Sequence, residues 1–293
     1  MKKKKKFNSY SPVITLPAIL VYTSFLIMPL IISFIFSFSD WNVVSWETPE
    51  FNGLTNYKEI LADPIFTRSL LNTFVNAFGT AILKIVLGIL LALPLSKAFK
   101  GNGIFRTIFY VPCVISATVV GVLFTSILAK EGLLNNVLGF LHLNGLQHEW
   151  LGHYGSAMLW IILVDVWMWA GFNMFIFISG IQAIPKDYYE VADLEGASKV
   201  KQFFTITLPL LMPAITVNTT LNISGGMKVF DFVYVLTNGG PGTDTQVLST
   251  YAYRAFSLGY LGESSAASII LCILVVIITF ALNKVSRNLE VEV

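Results

Sequence analysis

Charged residues are scarce in this chain of 293 residues, because lysine, arginine, aspartate and glutamate together make up only 12% of it. A soluble domain carries roughly 25% charged residues, which keep its surface in water. Hydrophobic residues make up 55% of the chain, and the formal net charge is only +2. This composition excludes an ordinary soluble domain and gives no indication of a nucleic-acid partner. Much of the surface is therefore predicted to face a lipid bilayer.

Cysteine is also rare, with only Cys113 and Cys272, and both lie in long apolar runs. Free cysteine packs like a small hydrophobic residue, so both are interpreted as apolar packing residues. The spacing matches neither a disulfide framework nor a zinc site.

Sequence motifs of enzymes are missing. The nearest approach to a zinc motif is His148-Glu149-Trp150-Leu151-Gly152-His153. Its second histidine comes one residue too late for H-E-x-x-H, which would place both imidazoles on one helix face. The chain has neither a phosphate-binding G-x-x-x-x-G-K-[ST] loop nor a G-x-S-x-G nucleophile elbow. We therefore expect no catalytic site, no metal and no cofactor in this chain.

Long apolar runs, in contrast, are abundant. The first covers residues 13–38 without a charge and follows a run of lysines. It is too long for the roughly 7–15-residue core of a cleaved signal, so we expect it to be retained. About 20 apolar residues cross a membrane as a helix, and six such runs predict an all-α polytopic membrane protein. The other five are Leu70–Leu95, Thr107–Ala129, Ser156–Ile184, Thr205–Met227 and Ser264–Asn283.

Basic residues are concentrated in alternate connections between the predicted spans. The amino-terminal tail has five lysines, and the connections after the second and fourth spans are also basic, as is the tail after the sixth. Because basic residues beside membrane helices stay in the cytoplasm, both termini are predicted to be cytoplasmic. The basic residues on the predicted inner side, beyond the tail of lysines, are Lys97, Lys100, Arg106, Lys186, Lys199, Lys201, Lys284 and Arg287.

Several polar residues fall inside the predicted spans, where exposure to lipid is costly. Lys84 and Asp165 either neutralise each other or line a substrate path. Sugars present apolar faces and a rim of hydroxyls, which aromatic, amide and charged side chains can recognise. The candidates for such a path on the fourth and fifth predicted spans are Trp167, Gly171, Asn173, Asn222 and Lys228. Packing between helices also favours small and polar residues, so that alternative remains open.

The connection between the fourth and fifth spans, residues 185–204, predicts a short amphipathic helix from about Lys186 to Glu195. Pro185 favours a helix start, and Gly196 favours its end, where the chain must turn or pack closely. Tyr188, Val191 and Leu194 form an apolar stripe, and Glu190 and Asp193 lie on a neighbouring face. A helix bound to lipid headgroups is usually basic, whereas this one is acidic, so a protein partner is favoured.

The same segment resembles the EAA loop of ATP-binding-cassette (ABC) importer permeases, with the pattern E-A-A-x3-G-x9-I-x-L-P. Val191 replaces one alanine of the motif, and Glu195 stands where carbohydrate members usually have aspartate. Phe230 to Pro241 is similar to the end of the fifth helix in maltose- and glycerol-phosphate-type permeases, and Gly53 to Tyr57 adds a further resemblance. The residues that match the loop motif without a gap are Glu190, Ala192, Gly196, Ile206, Leu208 and Pro209.

The resemblance implies a type I importer permease that carries a mono- or oligosaccharide across a bacterial inner membrane. Its partners would be a second permease subunit, a cytoplasmic ATPase dimer that binds the ATP, and an extracytoplasmic sugar-binding protein. The coupling residues it implies are Glu190, Ala192 and Gly196, with Tyr188, Val191 and Leu194 as the docking stripe. The implied division is a cytoplasmic basic tail (1–12), a six-helix permease domain (13–283) and a second tail (284–293).

Two other classes stay open at this point. One is an ABC permease for a different solute, such as glycerol phosphate or an amino acid. The other is a secondary transporter driven by an ion gradient, which is expected to contain internal repeats with broken helices. No internal repeat is visible in the sequence, which counts against the second class.

Overall fold

The computed structural model describes residues 15–44, 47 and 49–287. The predicted basic tail 1–12 and the end of the predicted second tail, 288–293, lie outside the described residues. The described chain is mainly α-helical, and the strands in it are a short antiparallel pair, Ser39–Asp40 and Glu50–Phe51. The all-α expectation is confirmed.

Four helices are long and apolar enough to cross a membrane, and two bent pairs raise the number to six if each pair is one span. This agrees with the six predicted runs. We name them, in chain order, span 1 (Leu16–Phe36), span 2 (Pro64–Leu95), span 3 (Asn102–Val114 with Ala117–Ile127), span 4 (Tyr154–Ala183), span 5 (Lys199–Leu210 with Met212–Met227) and span 6 (Leu261–Val285).

Spans 3 and 5 are bent by 97° and 66°, respectively. The break in span 3 falls at Ile115 and Ser116, whose backbones are extended, three residues after Pro112. The second half of span 3, Ala117–Ile127, is only about 16 Å long at 1.5 Å per residue, which is much less than a bilayer core of about 30 Å. The apolar run from Thr107 to Ala129 predicted a span but not this bend.

The shorter helices lie in the connections. The loop helix, Asp187–Leu194, is the one predicted between spans 4 and 5, and the connector helix, Leu133–Phe140, lies between spans 3 and 4. The remaining short α-helices are Thr55–Ala62, Asp231–Thr237 and Leu248–Ser257, and the last helix, which contains span 6, runs over Leu261–Arg287.

The larger of two compact units contains residues 61–251 and 270–287, and span 4 is at its centre. In its apolar stretch, 67% of the residues are buried. Span 5 packs closely on span 2 because it has a glycine at the contact: a Cβ on Gly226 of span 5 would lie 2.8 Å from the Cα of Ala77 of span 2. Spans 2, 4 and 5 therefore form the scaffold on which a site can be built.

The smaller unit contains residues 15–60 and 252–269. Asn56, which belongs to the Gly53–Tyr57 resemblance, is buried and donates hydrogen bonds of 2.9 Å to the carbonyl oxygens of Ser37 and Ser39. Gly262 packs onto the same place, because a Cβ there would lie 2.4 Å from the carbonyl oxygen of Ser39. Asn56 thus fixes the end of span 1 to the short helix Thr55–Ala62.

Candidate functional site

A cavity of about 310 Å³ lies among spans 2, 4 and 5 of the larger unit. Its wall combines aromatic side chains with amides and charged groups, which is the combination expected for a ligand with both apolar faces and hydroxyls. The aromatic lining residues are Trp169, Phe172, Phe230 and Phe232, and the polar ones are Lys84, Asp165, Asn173, Asn222, Lys228 and Asp231.

Lys84 of span 2 and Asp165 of span 4 form a buried ion pair. The Nζ atom of Lys84 donates to Oδ2 of Asp165 at 2.9 Å, and each side chain is 6% exposed. An isolated charge at this depth is costly, and pairing offsets the cost. The pairing, one of the two alternatives that the sequence left open, is therefore present, and both residues also line the cavity.

Two asparagines connect spans 4 and 5 at the cavity wall. The Nδ2 group of Asn222 donates to Oδ1 of Asn173 at 2.5 Å, and the Nδ2 group of Asn173 donates to the carbonyl oxygen of Trp169 at 2.9 Å. Asn173 also packs against Gly88 of span 2, where a Cβ would lie 3.0 Å from the Cβ of Asn173. The three spans therefore meet at this pair.

Lys228 and Asp231 lie where span 5 ends, and both are exposed in the isolated chain. The helix breaks after Met227, and the next short helix begins at Asp231. Together with Lys84 and Asp165 they give the cavity wall two cationic and two anionic side chains. The wall consequently has no net charge.

Trp167 does not line the cavity. It is 43% exposed, and its ring makes an edge contact with Phe124 at a centroid distance of 5.2 Å. Trp169 and Phe172 occupy the wall instead. The signal that finds them is helical spacing from Asp165, because positions 165, 169, 172 and 173 share one face of a helix, whereas position 167 lies on another.

Gly171, the other predicted path residue that is not in the lining, has a packing role. A Cβ on this glycine would lie 2.0 Å from the carbonyl oxygen of Phe109 and 2.9 Å from the Cα of Tyr110. The expected approach of a sugar ring to this backbone is replaced by the approach of span 3. Of the five predicted path residues, the structure brings Asn173, Asn222 and Lys228 together in the cavity.

The loop helix presents the predicted apolar stripe to the outside. Tyr188, Val191 and Leu194 are exposed, Leu194 to 89%, whereas Ala192, one turn after Tyr188, is buried. Glu190 is also exposed, and its carboxylate forms no ion pair with any described residue. The stripe and Glu190 are thus available to a partner.

Asp193, predicted on the same acidic face as Glu190, makes its contacts within the chain. It accepts hydrogen bonds from Nζ of Lys199 at 2.7 Å and from the amide of Gln202 at 2.5 Å. These bonds, first that from Lys199, hold the pKa of Asp193 below its ordinary value. Asp193 therefore fastens the loop helix to the start of span 5. The sequence did not reveal this contact, because Gln202 stands at a position that the loop motif leaves unspecified.

Gly196 ends the loop helix with a φ of +72°, and no described residue other than its chain neighbours lies within 4 Å of where its Cβ would be. Two reasons for a glycine here were expected, a turn or close packing, and the structure shows the turn. Backbone geometry favours glycine at this position, since left-handed φ is unfavourable for most residues with a Cβ.

Residues 84–289 match the family model described as "Binding-protein-dependent transport system inner membrane component". The match begins at Lys84 and includes the cavity, the loop helix and span 6.

Curated relatives are similar along nearly the whole chain. The probable ABC transporter permease protein YurN of Bacillus subtilis is 37% identical over 94% of this chain and 94% of its own length. The trehalose/maltose transport system permease protein MalF of Thermococcus litoralis is 36% identical over 93% of this chain and 92% of its own length.

Among solved structures, a chain of a bacterial ABC transporter involved in the import of the acidic polysaccharide alginate superposes with a TM-score of 0.82. It is 26% identical, and the match covers 94% of each chain.

Proposed function

The chain belongs to the family of binding-protein-dependent transport system inner membrane components, and on that premise we propose that it is one permease subunit of a sugar-importing ABC transporter. The observation that carries this proposal is the cavity among spans 2, 4 and 5. Its aromatic side chains can stack on sugar rings, and the Asn173–Asn222 pair can exchange hydrogen bonds with hydroxyls.

The relatives support a sugar as the solute. The curated trehalose/maltose permease and the alginate transporter are both named for carbohydrates. The cavity wall has equal numbers of cationic and anionic side chains, which favours an uncharged sugar over glycerol phosphate. An amino acid would require an anionic group for its ammonium and a cationic group for its carboxylate. Lys84 and Asp165 do not provide these groups, because they form an ion pair with each other.

Three partners complete the proposed transporter. A second permease subunit closes the path, and an extracytoplasmic binding protein delivers the sugar. A bacterial alginate ABC transporter has also been solved in complex with an alginate pentasaccharide-bound periplasmic protein. One chain of that structure superposes on this chain with a TM-score of 0.81. An ATPase dimer binds ATP and docks on the loop helix. In this proposal the chain performs no chemistry and holds no cofactor of its own.

The test of the substrate proposal is uptake by the transporter assembled with its partner subunits in vesicles. We expect ATP-dependent uptake of a neutral sugar and none of glycerol phosphate or amino acids. Asn222→Ala removes one side of the amide pair, so uptake should fall at least tenfold while the basal ATPase rate is retained. Gly155→Ala is a matched control on span 4, because its Cβ would meet nothing within 4 Å. Normal sugar uptake by Asn222→Ala, or uptake of a charged solute alone, would overturn the proposal.

We propose further that both termini and the loop helix lie in the cytoplasm. The chain then consists of a cytoplasmic tail (1–12), the permease domain (13–283) and a second cytoplasmic tail (284–293). The support is the alternation of basic residues between connections.

Labelling with a membrane-impermeant thiol reagent tests this orientation in a variant whose two cysteines are replaced by alanine. Both Asp244 and Glu195 are exposed, so either position accepts a reporter cysteine. In intact cells we expect labelling of Asp244→Cys but not of Glu195→Cys, and labelling of both after the membrane is opened. The reverse pattern in intact cells would show that the chain is inverted.

A further inference from the structure

The connector helix Leu133–Phe140 has an apolar face that no described residue covers. Leu133, Val137 and Phe140 are spaced at i, i+4 and i+7, so they share one side of the helix. All three are exposed, Phe140 to 84%, and the residues that follow extend the surface. A contiguous apolar surface of this kind marks contact with a membrane or with another protein. The exposed residues that extend it are Leu141, Leu143 and Leu146.

The opposite face of the connector helix is firmly held. Asn135 is buried and donates hydrogen bonds to the carbonyl oxygens of Lys130 at 2.9 Å and His148 at 3.0 Å. Its Oδ1 atom accepts from the indole of Trp150 at 2.9 Å, and its carbonyl oxygen accepts from Gln147 at 2.6 Å. These bonds prevent the helix from turning its apolar face inward.

The connector helix is also tied to the ends of two membrane spans. Gly132, directly before it, packs onto the end of span 3, because a Cβ there would lie 2.5 Å from the carbonyl oxygens of Ser126 and Ile127. At the other end, the ring of Trp150 makes an edge contact with Trp160 of span 4 at a centroid distance of 5.7 Å. Tryptophan is enriched where spans leave the membrane. The connector helix therefore lies at the level of the membrane boundary.

Charge decides between lipid and protein as the occupant of this face. Residues 132–147 contain no lysine, arginine, aspartate or glutamate, so inserting this face among acyl chains buries no charge, which would be costly there. Val122 and Leu123 of span 3, the span that directly precedes the connector helix, are also apolar and exposed. We propose that the connector helix lies in the membrane interface with Leu133, Val137 and Phe140 among the acyl chains. Because it has no basic residues, this insertion does not depend on anionic lipids.

Spin-label accessibility in the intact transporter tests the proposal. Cys113 and Cys272 are replaced by alanine, a label is placed at Leu133→Cys or Phe140→Cys, and the transporter is reconstituted in phosphatidylcholine vesicles. Oxygen concentrates in lipid and a nickel chelate stays in water. We expect oxygen to collide several-fold more often than the chelate at both positions, with the same result when phosphatidylglycerol is added.

Two control positions calibrate the measurement. A label at Val122→Cys on span 3 should collide more often with oxygen, as expected in lipid. A label at Glu131→Cys, a position that is exposed and charged in the native chain, should collide more often with the nickel chelate. An excess of chelate collisions at positions 133 and 140 would show that the face is in water. Low collision with both reagents would show that a protein covers it. Either result overturns the proposal, and two label positions keep the test valid if one variant does not fold.

Discussion

Replacing Glu190 by lysine should abolish stimulation of the ATPase by sugar-loaded binding protein, while the chain still folds and enters the membrane. The carboxylate is exposed and has no ionic partner among the described residues, so its loss costs the isolated chain little. In the assembled transporter we expect it to pair with a basic residue of the ATPase. Removing one side of such a pair costs roughly 2–5 kcal/mol, and the lysine adds repulsion.

The affinity of the ATPase for the transporter is therefore the quantity to measure. We expect it to fall roughly 30-fold or more, because 1.4 kcal/mol corresponds to a tenfold change in Kd. Asp187→Lys is the matched control, because Asp187 lies in the same first turn and favours the helix dipole equally. That favourable effect is worth only about 0.3–1 kcal/mol, so this variant should keep most of its stimulation. Equal and undiminished stimulation in both variants would mean that the loop helix does not couple to the ATPase.

Gly196 provides an independent check on the same helix. Its φ of +72° is unfavourable for a β-branched residue, whereas asparagine adopts it more readily. Gly196→Val should thus impair coupling by redirecting the chain after Leu194, and Gly196→Asn should retain it. Because no atom lies within 4 Å of the missing Cβ, a difference between these two variants reports the backbone and not a clash.

Replacing Lys84 alone by methionine should destabilise the folded protein by about 3–5 kcal/mol, because it leaves the buried charge of Asp165 without a partner. The decrease should be seen as a lower midpoint of thermal unfolding in detergent and as a lower yield. Asp165→Leu alone should have a similar effect, since it leaves the ammonium group of Lys84 unpaired at the same depth.

The double variant Lys84→Met/Asp165→Leu separates the structural role of the pair from its place in the cavity wall. Replacing both charges by apolar groups is often neutral for stability, so the midpoint should recover most of the loss. Sugar uptake should nevertheless stay low, because the wall then has two fewer hydrogen-bonding groups. A single variant as stable as the original would contradict the stabilising role, and full uptake by the double variant would remove the pair from the path.

The amino-acid sequence by itself determined the class of fold and the loop helix. Apolar runs of membrane-spanning length have few other solutions, because lipid cannot satisfy an open backbone. The six predicted runs correspond to four long helices and two bent pairs. The loop helix was predicted at 186–195 and found at Asp187–Leu194, since proline, glycine and a local apolar stripe act within a few residues. The pairing of Lys84 with Asp165 was also predictable, because each is a rare charge in an apolar run.

Tertiary structure alone decided which of the predicted path residues meet in the cavity. The ring of Trp167 and the bare backbone of Gly171 were both suitable for a sugar path, yet Trp167 contacts Phe124 and Gly171 receives the backbone of Phe109. Trp169 and Phe172 line the cavity, and Asp193 is bound by Gln202. The physical reason is that the rotation of a buried helix is set by packing against its neighbours. Span 4 carries large apolar or aromatic residues on all sides, so Asp165 and Asn173 are the few positions in its sequence that indicate which face points to the cavity.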